Sequence, residues 1–152
     1  MKIVLIAFGL VALVIVAFIV MGIQSRGGSA PGMRDTRLNS CGPNPNCVSS
    51  GAASDDAHYV AGFTISAGEE NAAWASLIEA IVADGGKVSQ NSPPYLAATF
   101  SSAMFGFVDD FECLIDRNAG LIHVRSGARV GYSDMNVNRK RVERVRSRLG
   151  DR

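Results

Sequence analysis

Histidine, tryptophan and cysteine are scarce in this sequence: two, one and three of 152 residues. A zinc centre takes about four ligands. No spacing gathers the two histidines with the cysteines, so neither a metal nor a cofactor is expected. The order of residues offers no Ser-His-Asp set and no phosphate-cradling glycine loop, which removes the commonest nucleophilic and nucleotide-binding arrangements. The length excludes a large multidomain enzyme. Bases are also nearly missing from one long stretch. Residues 55–116 hold ten acids and a single base, Lys87, for a net charge of −9. Residues 117–152 reverse this with ten bases and three acids, net +7. A basic tail alone would point to nucleic acid. Here the opposite charge lies in the strand just before it, so internal pairing is favoured and nucleic acid is not an expected partner.

Charge is absent altogether from residues 3–23, inside the run KIVLIAFGLVALVIVAFIVMGIQSR. At ~1.5 Å per residue this run spans about 31 Å, enough for the hydrocarbon core of a bilayer. A cleaved signal peptide has a shorter apolar stretch and ends in small residues. The residues that follow Val20, namely Met21, Gly22, Ile23, Gln24, Ser25 and Arg26, make a poor cleavage site. An uncleaved transmembrane anchor over residues 1–25 is therefore expected. The flanking charges do not decide the orientation. A single N-terminal span with a short leading tail usually leaves the following domain outside the cytoplasm, so a cell-membrane, single-pass, extracytoplasmic placement is the expectation.

Cys41 and Cys47 bracket Gly42-Pro43-Asn44-Pro45-Asn46. Proline and asparagine favour a curled loop, which would bring the thiols within disulfide reach in an oxidising compartment. A disulfide is favoured over free thiols, and both over a metal site. Cys113 lies between Phe111 and Ile115 at period two and reads as an inert core residue.

Residues 26–40 carry glycines, a proline and no hydrophobic period, which predicts a flexible tether. The remaining residues, 41–150, read as one soluble domain. Residues 58–65 (HYVAGFTI) predict a strand. Ser66-Ala67-Gly68-Glu69 has the spacing of a capping box. Beyond it, Trp74, Leu77, Ile78, Ile81 and Val82 follow one helix face up to Gly85-Gly86. A short strand near Lys87 and a second at residues 95–102 come next. A hairpin follows, its arms at residues 107–116 and 121–129. Ser133-Asp134 is expected to cap a last helix reaching about Leu149, with Met135, Asn138, Val142, Val145 and Leu149 on its inner face and Arg141 at the edge. The order β-α-β-β-β-α predicts an α+β fold: an antiparallel sheet with two helices packed on one face, preceded by one transmembrane helix.

Only one hairpin register keeps the apolar sets together. It sets Asp116 opposite Leu121, Leu114 opposite His123, Glu112 opposite Arg125, and Asp110 opposite Gly127. Asp110, Glu112, Arg125 and Arg129 then form a charge ladder on the sheet face away from the helices. The plain expectation is a solvated ladder worth ~0.2–1 kcal/mol per pair. The sharper one is a recognition surface with guanidinium forks aimed at an anion. Asp109 and Asp110 point to opposite faces and make no acid-base dyad.

Four blocks then occur in order: residues 45–50 (PNCVSS), 105–112 (FGFVDDFE), 124–134 (VRSGARVGYSD) and 138–143 (NRKRVE). In these blocks the sequence resembles the family known as domain of unknown function 1499, over about residues 39–149. The resemblance implies no activity, ligand or catalytic residue. It does imply that Asp109, Asp110, Glu112, Arg125, Arg129, Asp134, Asn138, Arg139 and Arg141 act as a group.

Two functions compete. The first is a membrane-tethered module that binds an envelope protein or an anionic ligand through Asp110, Glu112, Arg125, Arg129, Asp134, Asn138 and Arg139. The second is a small envelope hydrolase with Asp110 or Glu112 as base and Arg125 as electrostatic stabiliser. It would need a pocket in which one carboxylate has a raised pKa. The first is preferred, because no nucleophile-base or metal constellation is visible.

Overall fold

The computed structural model describes residues 1–150. An N-terminal helix, α1 (Lys2–Arg26), precedes a two-stranded ribbon, β1 (Met33–Arg34) and β2 (Arg37–Leu38). The domain proper is built from β3 (Cys47–Ser49), β4 (Phe63–Thr64), α2 (Glu70–Ala83), β5 (Lys87–Ser92), β6 (Tyr95–Ser101), β7 (Val108–Asp116), β8 (Leu121–Ala128) and α3 (Val137–Gly150). Its sheet is antiparallel in the order β3-β8-β7-β6-β5, and β4 pairs with the start of β8. The α+β class with two helices on one sheet face is therefore the observed fold.

The core lies between the sheet and α2 and α3. Leu77 and Ile81 of α2 and Val142 and Val145 of α3 are fully buried against Phe111, Cys113, Ile122 and Val124 of the central strands. Burying a side chain of this size contributes ~1.5–3 kcal/mol. Trp74 joins this core and donates its indole N–H to Asn91 Oδ1 at 3.0 Å. Gly85, at φ +90°, ends α2 where the sequence places the stop.

Several local expectations are corrected. The strand over residues 58–65 contracts to Phe63–Thr64, joined by an isolated bridge between Ser49 and Tyr59. The carbonyls of Tyr59, Ala61 and Gly62 bond to arginine side chains instead of a neighbouring strand. Ser66 does not cap α2; Glu69 N–H bonds to Ser66 O in a turn, and the helix starts one turn later at Glu70. Met135 and Asn136 have φ of 54° and 63°. This left-handed pair delays α3 to Val137 and leaves Met135 exposed rather than on the inner face. Residues 26–40, expected as a flexible tether, carry the ribbon and are bonded to the domain: Gly32 N–H donates to Glu112 Oε1 at 2.7 Å. Asn39 closes the same stretch by donating from its side-chain amide to Pro31 O.

Within α1 the apolar window has a mean hydropathy of 3.4 and is 0% buried, so the helix is long and apolar enough to cross a membrane. Its last turns pack on the domain, burying Gly22 and Ser25. Cys41 and Cys47 form a disulfide, with Cα atoms 5.7 Å apart. Such a bond is compatible with an extracytoplasmic domain.

Candidate functional site: a self-paired ladder and an open cavity

The hairpin of β7 and β8 adopts the register expected from its apolar pattern, with Glu112 opposite Arg125 and Asp110 opposite Gly127. Arg125 Nη1 meets Glu112 Oε2 at 3.0 Å, and Arg129 holds both oxygens of Asp110, at 2.9 and 2.7 Å. The expectation of a solvated ladder is corrected by burial. Side-chain exposure is 10% for Arg125, 0% for Glu112, 12% for Arg129 and 3% for Asp110. The roof is the ribbon segment, through Gly32, together with the end of α1, whose Ser25 carbonyl accepts from Arg129 Nη1. Tyr95 adds its hydroxyl to Glu112 Oε1 at 2.7 Å. Burial, and then that bond, push the Tyr95 phenol well above its usual range. The bond from Asp110 raises Arg129 further and keeps it charged. All four carboxylate oxygens of the ladder are thus engaged from within the chain.

The remaining candidates lie elsewhere, because the sheet divides them. On the helix side Arg141 meets Asp109 at 2.7 Å, and its other Nη bonds Asn138 Oδ1 and Ser126 Oγ. Burial raises the Asp109 carboxyl, and Arg141 pulls it part of the way back. Asp134 accepts the backbone and side-chain N–H groups of Asn138, at 2.7 and 2.9 Å, and so caps α3. Arg139 serves neither cluster. Its two Nη atoms donate to Tyr59 O and Ala57 O, and Arg146 does the same for Gly62 O and Ala61 O. These forks bond the carbonyls of Ala57, Tyr59, Ala61 and Gly62, whereas His58 O and Val60 N–H pair with Ser49 of β3. They also explain much of the basic helix: Arg144 and Arg148 pair with Asp84, and Arg146 with Glu143.

Beside the roofed ladder the same sheet face opens into a cavity of about 560 Å³. Arg37 and Cys41 line it from the ribbon side, His58 and Asp56 from the loop after β3, and His123 and Asp116 from the sheet. His58 Nδ1 lies 2.8 Å from Cys47 O. A carbonyl only accepts, so Nδ1 carries the proton and Nε2 is the ring's remaining functional atom. His123 Nδ1 lies 3.3 Å from Ser50 Oγ, which in turn accepts the Val124 N–H. Both imidazoles are therefore oriented through Nδ1 by the scaffold. Among the described residues no cluster of three or more His, Cys, Asp or Glu is placed to hold a metal ion.

The family model described as Protein of unknown function (DUF1499) matches residues 37–149. The chain belongs to this family. No curated protein matches it. In this DUF1499 chain the matched region begins at Arg37, so the second strand of the ribbon and the cavity residues from Arg37 onward lie inside it, whereas α1 lies outside.

Sequence reasoning missed Arg37, Tyr95 and the meeting of the two histidines. The hairpin register alone places His123 on the ladder face, and that was the available signal. Nothing in the sequence of residues 33–38 announces a ribbon, because Asp35 turns it at φ 57° without a glycine. His58 reaches the cavity through an irregular loop that carries no periodic pattern.

Proposed function

We propose that this DUF1499 chain is a single-pass, membrane-anchored extracytoplasmic module that binds a small anionic ligand in the cavity between ribbon and sheet. The observation that carries this reading is the joining of Arg37, His58 and His123 around one concavity, while the carboxylates of the ladder are buried and bonded within the chain. Arg37 supplies the fork suited to a carboxylate or phosphate, and each imidazole has Nε2 left for a ligand. Asp56 and Asp116 favour a ligand that also carries hydroxyl or amine donors. The exposed apolar helix supports the anchor, and the disulfide supports an oxidising compartment.

This reading moves binding away from Arg125, which is buried on Glu112 with its Nε unpaired, and from Arg129 and Arg139, whose guanidinium groups are held by partners within the chain. It also leaves the hydrolase alternative without support at Asp110 and Glu112, since both carboxylates are buried and paired with arginines under the ribbon, out of a substrate's reach. NMR titration of the histidine ring protons with inorganic phosphate and with glycerol 3-phosphate tests the proposal. Saturable shifts of both rings, lost in Arg37→Ala with the fold retained, are expected. Rings that ignore both anions, or shifts that survive Arg37→Ala unchanged, would overturn it.

A further inference from the structure

We propose that the tip of the β6–β7 hairpin, residues 102–107, enters the leaflet from which α1 emerges and gives the domain a second hold on the bilayer. The inference rests on α1 as a membrane span, and the occupant of this surface is lipid: the glycerol layer and upper acyl chains.

The tip and the helix are packed together. The Phe18 ring of α1 lies 5.2 Å from that of Phe105 and 6.2 Å from that of Phe107, and the two tip rings are 6.0 Å apart. Gly22 permits the approach, because a Cβ there would collide with Phe105 O. Ser25 Oγ accepts the Val108 N–H at 3.0 Å, tying the hairpin to the last turn of α1. Hairpin and helix end therefore share one depth.

That depth is set by the apolar run. Residues 3–23 span about 31 Å against a hydrocarbon core of about 30 Å, which leaves no slack to withdraw Phe18 into water. Phe18 stands five residues before the end of that run, about 7.5 Å inside it at ~1.5 Å per residue. The rings packed on Phe18, Phe105 stacked and Phe107 edge-on, lie at the same level. Interfacial apolar groups settle ~5–10 Å into the headgroup and acyl boundary.

The chemistry of the tip suits this position. No charged side chain occurs between Lys87 and Asp109. Met104, within the turn, is 82% exposed. Backbone donors cost several kcal/mol each when unpaired in hydrocarbon. Here Ser102 N–H donates to Phe107 O, Gly106 N–H to Ser102 O, and Phe107 N–H to Ser102 Oγ. Arg26, lying against Gly106, closes the apolar zone with a charge at the phosphate level.

The test uses the full chain in phosphatidylcholine vesicles, with a tryptophan placed at Met104 (Met104→Trp) or in mid-helix (Phe8→Trp). Both positions are exposed, and Trp74 in the core supplies the common background. Lipids brominated on their acyl chains quench tryptophan on contact, and aqueous iodide quenches only what water reaches. Loss of the added emission of both variants by brominated lipid, with a blue shift for Met104→Trp, is expected. Quenching of Phe8→Trp by lipid while Met104→Trp answers only to iodide would overturn the hairpin insertion and leave the span standing. Absence of lipid quenching at Phe8→Trp would overturn span and insertion together.

Discussion

Ser25 Oγ accepts the backbone N–H of Val108 at 3.0 Å and donates to Gly22 O at 2.7 Å. One hydroxyl thus ends the apolar helix and begins the central strand of the domain, 83 residues away. Arg129, the partner of Asp110, also reaches Ser25 O at 3.1 Å. The last turn of α1 is therefore part of the domain's polar interior.

Ser25→Ala should leave the buried Val108 N–H without an acceptor. An unpaired buried donor costs ~1–3 kcal/mol, which a lowered denaturant midpoint in detergent micelles would register. Ser25→Thr keeps the oxygen and should lose less. Equal midpoints for Ser25→Ala and the parent chain would show that water replaces the hydroxyl at the Val108 N–H.

The Glu112–Arg125 pair is expected to behave as a buried ion pair. Removing one partner strands the other charge and should cost ~3–5 kcal/mol, whereas exposed pairs give ~0–1. Arg125→Met and Glu112→Gln should each lower stability by the larger amount. The double variant should lose clearly less than the sum, because each single loss is mainly the cost of an uncompensated charge. Single losses below ~1 kcal/mol would return the ladder to the solvated class.

The face and register of this ladder were legible, since Phe111, Cys113, Ile115, Ile122 and Val124 alternate at period two and permit one pairing. Its burial was not. The roof is made by Gly32, a residue without a side chain, donating from its backbone to Glu112, and by a helix end that read as the foot of a membrane anchor. Neither leaves a hydrophobic period. The division of the nine polar residues follows the same logic. Alternation along β7 correctly separates Asp109 from Asp110. Whether Arg139 meets them depends on a loop whose carbonyls claim it first. The cavity was least legible because its walls are the ribbon and the stretch after β3, held by single backbone and side-chain bonds rather than by a repeating pattern.

Tyr95 gives a pH signature. Its phenol is raised above the ordinary value of 10.0 by burial and by the bond to Glu112. Above pH 10 the unfolded chain releases this proton while the folded chain retains it. The folded state then binds more protons, so stability falls as pH rises from there. Below pH 10 the contribution is fully present. The absorbance titration of the parent chain minus that of Tyr95→Phe should show no Tyr95 phenolate until the protein unfolds in alkali. Tyr95→Phe should in turn flatten the alkaline loss of stability. A difference spectrum that titrates near pH 10 with the fold intact would show the hydroxyl to be open to water.

The three cysteines should separate by accessibility and by compartment. Cys41 and Cys47 are joined, whereas Cys113 is free, buried, and raised well above an ordinary thiol by burial and by the neighbouring Glu112 charge. The native protein should therefore offer no thiol to an alkylating reagent, the denatured protein one, and the denatured and reduced protein three. Opening a loop of this size removes about 2 kcal/mol of unfolded-state constraint. The loss should appear as a lowered melting temperature for Cys41→Ser with Cys47→Ser. The effect on β3 should be local, because Cys47 pairs with Gly127 and its carbonyl orients His58. Alkylation in intact cells before lysis extends the test to topology. A chain whose domain faces an oxidising compartment should carry the bond at that moment, and three alkylated cysteines after denaturation without reductant would place the domain on the reducing side.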